Sequence, residues 1–184
     1  MMRRCLRHSK ITKGQNLRRF ILLLWSKGVW KLEIRELSIS ELEDAASLIR
    51  KVFLETESKE CQTKGVGFFL DSVKADSFLP LIREENYLLY GLFFDDGGLA
   101  GVLGARGNYL ALLFVDQKHK GKGCGRELFD YYKKRIASGE EHYGRITTNS
   151  SIGAQNFYEK LGFKVAGEKV EIFGVPYIPM MMVI

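Results

Sequence analysis

The chain passes from a strand into a helix through a basic, glycine-rich segment, Val115-Asp-Gln-Lys-His-Lys-Gly-Lys-Gly-Cys-Gly-Arg-Glu-Leu-Phe129. Residues 109–115 are apolar and indicate a buried strand, whereas the apolar residues after the glycines have the spacing of one helix face. The start of a helix presents backbone N–H groups without helical partners and the positive end of the dipole. Because glycine has no Cβ, a ligand can approach the backbone closely there. The segment therefore predicts a phosphate-binding loop.

Two common phosphate loops are excluded by the spacing of the glycines. The dinucleotide fingerprint needs a third glycine at position 126, which holds arginine, and the P-loop needs Ser or Thr at position 123, which holds glycine. Basic side chains nevertheless surround the glycines: Lys118, Lys120, Lys122 and Arg126. A solvated basic face is the alternative interpretation, and we favour it for the first of these lysines.

The segment resembles the pyrophosphate loop of the GNAT superfamily of N-acyltransferases. That loop usually reads Gln or Arg, two residues, Gly, one residue, and Gly or Ala. Gly123 and Gly125 match this pattern, and Lys120 replaces the Gln or Arg. Lysine keeps the positive charge but lacks the planar fork of arginine. Since the resemblance implies binding mainly through backbone N–H groups, we expect the replacement to be tolerated.

A second segment resembles the same superfamily: Asn149-Ser-Ser-Ile-Gly-Ala-Gln-Asn-Phe-Tyr-Glu-Lys-Leu-Gly-Phe163. In the family, a strand that ends in Asn is followed by a helix reading Ala, two residues, Phe-Tyr-Glu-Lys-Leu-Gly-Phe. The matching residues are Ala154, Phe157, Tyr158, Leu161, Gly162 and Phe163. We expect Ser150 or Ser151 to cap this helix and Gly162 to end it in the left-handed conformation. Two segments in the right order make the resemblance more specific than either alone.

The resemblance implies a fold of the GNAT type, an α/β (α+β) architecture with a mixed sheet and helices on both faces. Its element order is β-α-α-β-β-β-α-β-α-β-β, with a split where the strands at 109–115 and 145–149 diverge. The hydrophobic pattern is compatible with this order. Strands are predicted at 32–36, 87–94, 99–106, 109–115, 145–149, 163–173 and 177–184.

The first helices are predicted from capping signals and apolar spacing. Ser38 and Ser40 are each followed by Glu three residues later, so either can begin the first helix with a capping box. The polar residues 55–66 are expected to form a loop. Residues 66–82 are expected to form a helix that Pro80 interrupts or restarts.

The net charge of +6 is concentrated at the beginning of the chain. Residues 1–32 hold nine of the 28 basic residues and no acidic residue, which leaves 19 basic against 22 acidic residues elsewhere. Because the remainder is mildly acidic and aromatic residues are poorly interleaved with the basic ones, no nucleic-acid partner is expected. No apolar run is long enough to cross a membrane, so no membrane partner is expected either.

The predicted organisation is a basic leader at residues 1–30 and one GNAT domain at 31–184. Three interpretations of the leader remain: a targeting arm, a surface-binding amphipathic segment, or sequence that adds nothing to the fold. We favour the last, which a translation start assigned too early would produce, because the resemblance begins near Leu32. The scattered cysteines at positions 5, 61 and 124 predict neither a disulfide framework nor a metal site, and a reducing cytoplasm is expected.

The resemblance implies transfer of an acetyl group from acetyl-CoA to a primary amine by direct attack, in a monomer or homodimer. The strand edge at Leu113, Phe114 and Val115 would pair with the pantetheine arm, and a backbone N–H there would stabilise the oxyanion. Asn149 and Asn156 would contact the CoA arm. The pyrophosphate would lie on Lys120, Gly121, Lys122, Gly123, Cys124, Gly125 and Arg126.

Tyr158 is placed by the resemblance to protonate the leaving thiolate as general acid. Its alternative role is that of a core aromatic residue, and the motif context favours the catalytic one. Many family members carry a Glu on the strand before the loop, but residues 109–115 contain no carboxylate. The general base is therefore left open, and each possible residue could equally be a solvated surface residue: Asp116, His119, His142 and Glu171.

The alternative function is a non-catalytic acyl-CoA-binding or regulatory domain of the same fold. The missing strand carboxylate favours it, whereas Tyr158 disfavours it. The acceptor is left open among polyamines, aminoglycoside-like drugs, amino acids and protein amines, since the segments that would bind it carry no motif.

Overall fold

The computed structural model describes residues 32–95, 97–138 and 143–184. The predicted leader at residues 1–30 and His142 lie outside the described residues. Within them, a mixed sheet is covered by helices on both faces, so the predicted fold class is confirmed. None of the described helices combines the length and the apolar character needed to cross a membrane.

The sheet of the described residues has eight strands. They are β1 (Glu33–Glu36), β2 (Tyr87–Phe93), β3 (Leu99–Arg106), β4 (Tyr109–Val115), β5 (Arg145–Ser150), β6 (Lys164–Val165), β7 (Val170–Ile172) and β8 (Val175–Val183). Their order is β1-β2-β3-β4-β5-β8-β6, and β7 pairs with β8 outside this path. Strands β4 and β5 are parallel, whereas the other neighbours are antiparallel.

Helices cover the two faces of the sheet in two groups. They are α1 (Leu42–Thr56), α2 (Thr63–Ser72), α3 (Ala75–Glu84), α4 (Cys124–Ala137) and α5 (Gln155–Leu161). The first three bury their apolar residues in one core, around Phe53 and Phe78, and the last two contribute to a second core around Phe129 and Tyr132. Each sheet face thus gains the apolar cover that a two-sided sheet requires.

The first helix begins through the capping signal at Ser38 rather than Ser40. The carboxylate of Glu41 accepts the backbone N–H of Ser38 at 2.9 Å and its hydroxyl at 2.7 Å. Arg35 donates to the same carboxylate at 2.6 and 2.9 Å. A single 3-10 turn, Ile39–Glu41, then leads directly into α1.

Two expectations about residues 55–82 are wrong. Residues 55–66 are not a loop, because α1 continues to Thr56 and a 3-10 turn, Ser58–Glu60, follows it. The next helix divides between α2 and α3 rather than at Pro80, which lies inside α3 with its side chain exposed. At the division, the Ser72 hydroxyl donates to the Phe69 carbonyl at 2.7 Å, a local side-chain bond of the kind that competes with helix hydrogen bonding.

The predicted strand at 163–173 is also wrong, because two short strands, β6 and β7, take its place along β8. Every side chain of residues 164–173 is exposed, so no buried face holds one continuous strand there. The turn into β8 is Phe173-Gly174, where both residues have positive φ of 52° and 87°. This is the backbone of a type I′ hairpin turn, and Pro176 therefore lies within β8 instead of in the turn.

Candidate active site

The predicted split in the sheet lies between β4 and β5. The two strands pair only through Tyr109 with Thr147 and Leu110 with Thr148. The register of β4 against β3 shifts at the same place, because Ala111 is an extra residue between the paired positions. A bulge of this kind bends a strand. Residues 111–115 thereby leave β5, and the predicted edge at 113–115 borders the opening.

A groove of about 660 Å³ occupies this split. It brings together most of the residues predicted to bind CoA: Leu113, Phe114, Val115, Lys120, Gly121, Gly123, Cys124, Gly125 and Arg126. Lys122 is exposed on the same loop, and Asn156 is exposed on α5. Asn149 lies half-buried on β5. Its side chain hydrogen-bonds the hydroxyl of Tyr109 and opposes the rise in pKa that burial causes there. Tyr158 is buried and does not line the groove itself, whereas its neighbour Phe157 does.

The glycines of the loop have two different physical roles. Gly121 and Gly123 have positive φ of 77° and 84°, and a Cβ on either would meet open space. Their backbone conformation therefore requires glycine. Gly125 lies within α4, where a Cβ would come within 3.1 Å of the Phe157 ring. The third glycine thus allows α4 to pack closely against α5.

Cys124 and Arg126 each have a structural role. The Cys124 side chain is 2% exposed in the core, and burial raises the pKa of its thiol, so it is a packing residue rather than a reactive one. The guanidinium of Arg126 donates to the Lys160 carbonyl at 2.9 Å and ties α4 to α5. Its positive charge therefore lies at the rim of the groove.

The start of α5 differs from the prediction. The helix begins at Gln155, after a turn that includes Ala154, so neither Ser150 nor Ser151 caps it. The Ser150 hydroxyl donates to the carbonyl of Ser151 at 2.7 Å instead. A turn at residues 152–154 separates the two serines from the first residue of the helix.

The end of α5 follows the prediction. Gly162 has a φ of 103°, its N–H donates to the Glu159 carbonyl at 2.9 Å, and the Phe163 N–H donates to the Tyr158 carbonyl at 3.0 Å. These two bonds form a Schellman motif. The motif fixes the final turn of the helix that carries Tyr158.

Tyr158 is 6% exposed, and its ring packs edge-on against Phe157 and Phe163 at centroid distances of 5.3 and 5.5 Å. Its hydroxyl lies near Thr148, where β4 and β5 separate. Burial raises the pKa of this hydroxyl well above its usual value, although the Thr148 hydroxyl opposes the shift. The phenol is thus protonated at neutral pH and has a proton to donate.

The residues considered as general base do not form a single site. Asp116 accepts the Lys118 N–H at 3.0 Å and pairs with Lys51 at 2.9 Å, and these contacts lower its pKa. A carboxylate with a lowered pKa binds protons weakly. Glu171 is exposed and accepts an amide N–H of Gln62 at 2.9 Å. His119 borders the groove and packs on Phe94 at a centroid distance of 4.4 Å.

The pattern of the sequence missed several ionisable residues of the groove, Glu55, Glu57, Glu60 and Lys160. Glu57 follows α1 directly and lines the groove that the β4 edge also borders. Burial raises its pKa to about 7, the charge of Glu60 acts in the same direction, and the Ser151 hydroxyl opposes both. Glu57 stands in a polar stretch without periodicity, so no local signal distinguishes it from its neighbours.

Solved structures share this architecture. The chain aligns with the PaiA N-acetyltransferase from Thermoplasma acidophilum in complex with coenzyme A at a TM-score of 0.68 and 22% identity, covering 83% of this chain and 99% of the other. A GCN5-related N-acetyltransferase from Rhodopseudomonas palustris gives 0.67 and 17%, covering 82% and 94%. A variant of the spermidine N-acetyltransferase from Vibrio cholerae gives 0.59 and 15%, covering 83% and 93%. These similarities show the fold.

Similarity in sequence shows the family. No curated protein matches the chain. Residues 57–184, more than half of the chain, match the acetyltransferase (GNAT) domain. The matched region includes the β4 edge, the glycine loop and the helix that carries Tyr158. The chain therefore belongs to the GNAT family of acetyltransferases, enzymes that use acetyl-CoA as co-substrate.

Proposed function

We propose that the protein moves an acetyl group from acetyl-CoA to a primary amine by direct attack of the amine on the thioester. The observation that carries the proposal is a groove that joins the β4 edge to the glycine loop and is also lined by Phe157, the residue before the buried Tyr158. Two structural relatives support this proposal, one in complex with coenzyme A and one that is a spermidine N-acetyltransferase.

The β4 edge is suited to hold the amide-bearing arm of the co-substrate. The N–H of Asp116 donates to the Ala100 carbonyl on β3 at 2.9 Å. Successive N–H groups of a strand alternate between its two sides, so the N–H of Val115 points toward the split. This N–H can pair with the arm or stabilise negative charge that develops on the thioester oxygen. Asn149, on the opposite strand, and Asn156 are proposed as further contacts of the arm.

The glycine loop is suited to hold the pyrophosphate. Helix geometry leaves the first N–H groups of α4 without helical partners, and the positive end of its dipole faces the groove. The open space beside Gly121 and Gly123 lets phosphate oxygens reach the backbone. Lys120 and Lys122 add positive charge at exposed positions around it.

Tyr158 is proposed as the acid that protonates the departing sulfur. Its hydroxyl is protonated at neutral pH and lies beside Thr148, at the last residue pair before the two strands separate. A positioned proton donor lowers the barrier because the thiolate does not have to leave as a free anion. The Schellman motif at Gly162 and the flanking aromatic rings hold the side chain in place.

The experiment is to measure thiol release from acetyl-CoA with a panel of amines that includes polyamines, aminoglycosides, amino acids and peptides. Mass spectrometry of the amine should show a gain of one acetyl group. A protein that binds CoA tightly but releases no thiol with any amine would be the non-catalytic acyl-CoA-binding domain instead. The absence of a carboxylate on β4 is the observation that favours this second function.

A further inference from the structure

We propose that Glu57 is the general base of the acetyl transfer and takes a proton from the ammonium group of the acceptor. The inference rests on the proposed function and adds a catalytic residue to it. Strand β4 offers no carboxylate for this step, so the base must come from another element that reaches the groove.

The position of Glu57 is fixed by backbone bonds on both sides. Its N–H donates to the Phe53 carbonyl at 2.9 Å, which closes the last turn of α1, and its carbonyl accepts the Glu60 N–H at 2.9 Å. The side chain is half-buried and lines the groove together with Val115 and Phe157. Glu57 thus lines the same groove as the strand edge at Leu113–Val115, where the thioester is proposed to lie.

The connection after Glu57 is anchored to the turn between β7 and β8. The Gln62 N–H donates to the Gly174 carbonyl at 2.9 Å, and its side-chain amide donates to Glu171 at 2.9 Å. The approach is so close that a Cβ on Gly65 would lie 2.3 Å from the Gly174 oxygen. These bonds hold the connection from Glu57 to Gln62 against the β7–β8 turn.

The groups around Glu57 favour proton binding at its carboxylate. The charge of Glu60, on the same connection, adds to the effect of burial, and the buried hydroxyl of Ser151, in the segment before α5, opposes the rise in pKa without cancelling it. The charge of Glu57 in turn raises the pKa of Cys61, Tyr158 and Tyr177. Across the described part of the chain, no ion pair joins Glu57 to a lysine or arginine. A desolvated carboxylate beside another carboxylate has a raised pKa, here about 7, which suits a base near neutral pH.

The protons balance as follows in the proposed step. Glu57 takes one proton from the ammonium group, and the nitrogen lone pair then forms the N–C bond to the acetyl carbon. The C–S bond breaks, and its electron pair leaves with the sulfur, which takes the proton of Tyr158. A second nitrogen proton replaces the one lost by Tyr158, and Glu57 releases its proton to solvent, which leaves a neutral amide.

The first test compares the pH dependence of kcat/KM for the wild type, Glu57→Gln and the control Glu43→Gln, an exposed glutamate of α1 outside the groove. With an alkyl amine as acceptor, we expect the wild type and the control to lose activity below a pH of about 7, whereas Glu57→Gln should lack this limb and gain activity with pH toward the pKa of the free amine, about 10.4. Glu60→Gln should move the limb to lower pH, because the charge of Glu60 raises the pKa of Glu57. A limb near pH 7 that persists in Glu57→Gln would overturn the proposal.

The second test compares two acceptors, a primary alkyl amine with a pKa of about 10.4 and an amino-acid amide with a pKa of about 8. At pH 8 about half of the α-amino groups of the amino-acid amide are neutral, so acetylation of this acceptor depends less on a base. Glu57→Gln should therefore lower kcat/KM about 10²-fold for the alkyl amine and much less for the amide. Calorimetry of CoA binding should show equal affinities for Glu57→Gln and wild type.

The outcomes separate the two proposals. If the wild type acetylates amines but Glu57→Gln is impaired equally for both acceptors, or not at all, then the role of Glu57 is wrong and the function stands. If the wild type acetylates no amine of the panel, then the function is wrong and the role of Glu57 falls with it.

Discussion

The hydroxyl of Thr148 donates to the carbonyl of Leu110 at 2.8 Å, across the last pair of residues that joins β4 to β5. Both residues are buried, and the side chain supplies a link at the point where the strands begin to separate. The Thr148 hydroxyl also hydrogen-bonds the hydroxyl of Tyr158 and opposes the rise in its pKa. One buried polar group thus connects the edge of the split with the proposed acid.

Replacing Thr148 with valine should destabilise the protein by about 1–3 kcal/mol, because the carbonyl of Leu110 loses a buried hydrogen bond while the side-chain shape is kept. Turnover should also fall, since the hydroxyl of Tyr158 loses a neighbour. Urea denaturation and thiol release measure the two effects. Thr147→Val, on the half-buried face of the same strand, is the control and should change both less. Equal effects of the two variants would contradict a special role of Thr148.

Charge reversal in the glycine loop should weaken CoA binding. Lys120→Glu and Lys122→Glu place a negative charge near the proposed pyrophosphate, and each should reduce CoA affinity by roughly tenfold or more in calorimetry. The loss should diminish at high salt because these positions are exposed. Lys118→Glu carries the same change at an exposed position three residues before Gly121, whereas Lys120 and Lys122 flank that glycine, and it should bind nearly as the wild type does. If all three variants bind equally, the pyrophosphate lies elsewhere.

Tyr158→Phe should bind CoA with wild-type affinity and lower kcat by about 10²-fold, because the ring packing is kept and the proton donor is lost. Tyr131→Phe, a half-buried tyrosine of α4 that packs on Tyr90, is the matched control. Its kcat should stay near that of the wild type. Equal rates for Tyr158→Phe and wild type would make Tyr158 a packing residue alone.

Glu57→Gln should stabilise the protein at alkaline pH. In the wild type, the raised pKa of Glu57 means that the folded state favours the protonated carboxyl. The stabilising contribution of this carboxyl is therefore complete below a pH of about 4.5 and is lost as the pH rises through about 7. The shift corresponds to an upper limit of about 3 kcal/mol. Denaturation at pH 8.5 should show the gain for Glu57→Gln, and at pH 4 the difference should vanish. Glu43→Gln should show no such dependence, and a variant less stable than the wild type at pH 8.5 would refute the raised pKa.

Removal of residues 1–30 should leave the domain intact, because the trimmed chain keeps the buried Leu32 and all of β1. Its melting temperature should stay within roughly two degrees of the full chain, with unchanged CoA affinity. Trimming through Glu36 is the comparison, since it removes the buried Ile34 and should lower the melting temperature strongly. A large loss on removing residues 1–30 would place part of the leader in the fold.

The sequence by itself determined the elements whose causes are local. Gly123 and Gly162 have positive φ at a helix boundary, a conformation that glycine adopts readily. The spacing of apolar residues was sufficient to predict α1, α4 and most strands. The predicted CoA residues of β4 and the loop meet in one groove because they follow each other directly along the chain. Such features depend on residues within a few positions of one another.

Tertiary structure alone decided the features whose causes lie far apart in the chain. Gly125 is required by the ring of Phe157 on another helix, and the strand predicted at 163–173 is divided because the side chains of residues 164–173 are exposed and have no buried face. In the sequence, Glu57 is one glutamate among several in a polar stretch. The folded protein distinguishes it, because the end of α1 buries it near Ser151. Its pKa depends on burial and on neighbouring charges, which are properties of the packed fold and leave no periodicity in the sequence.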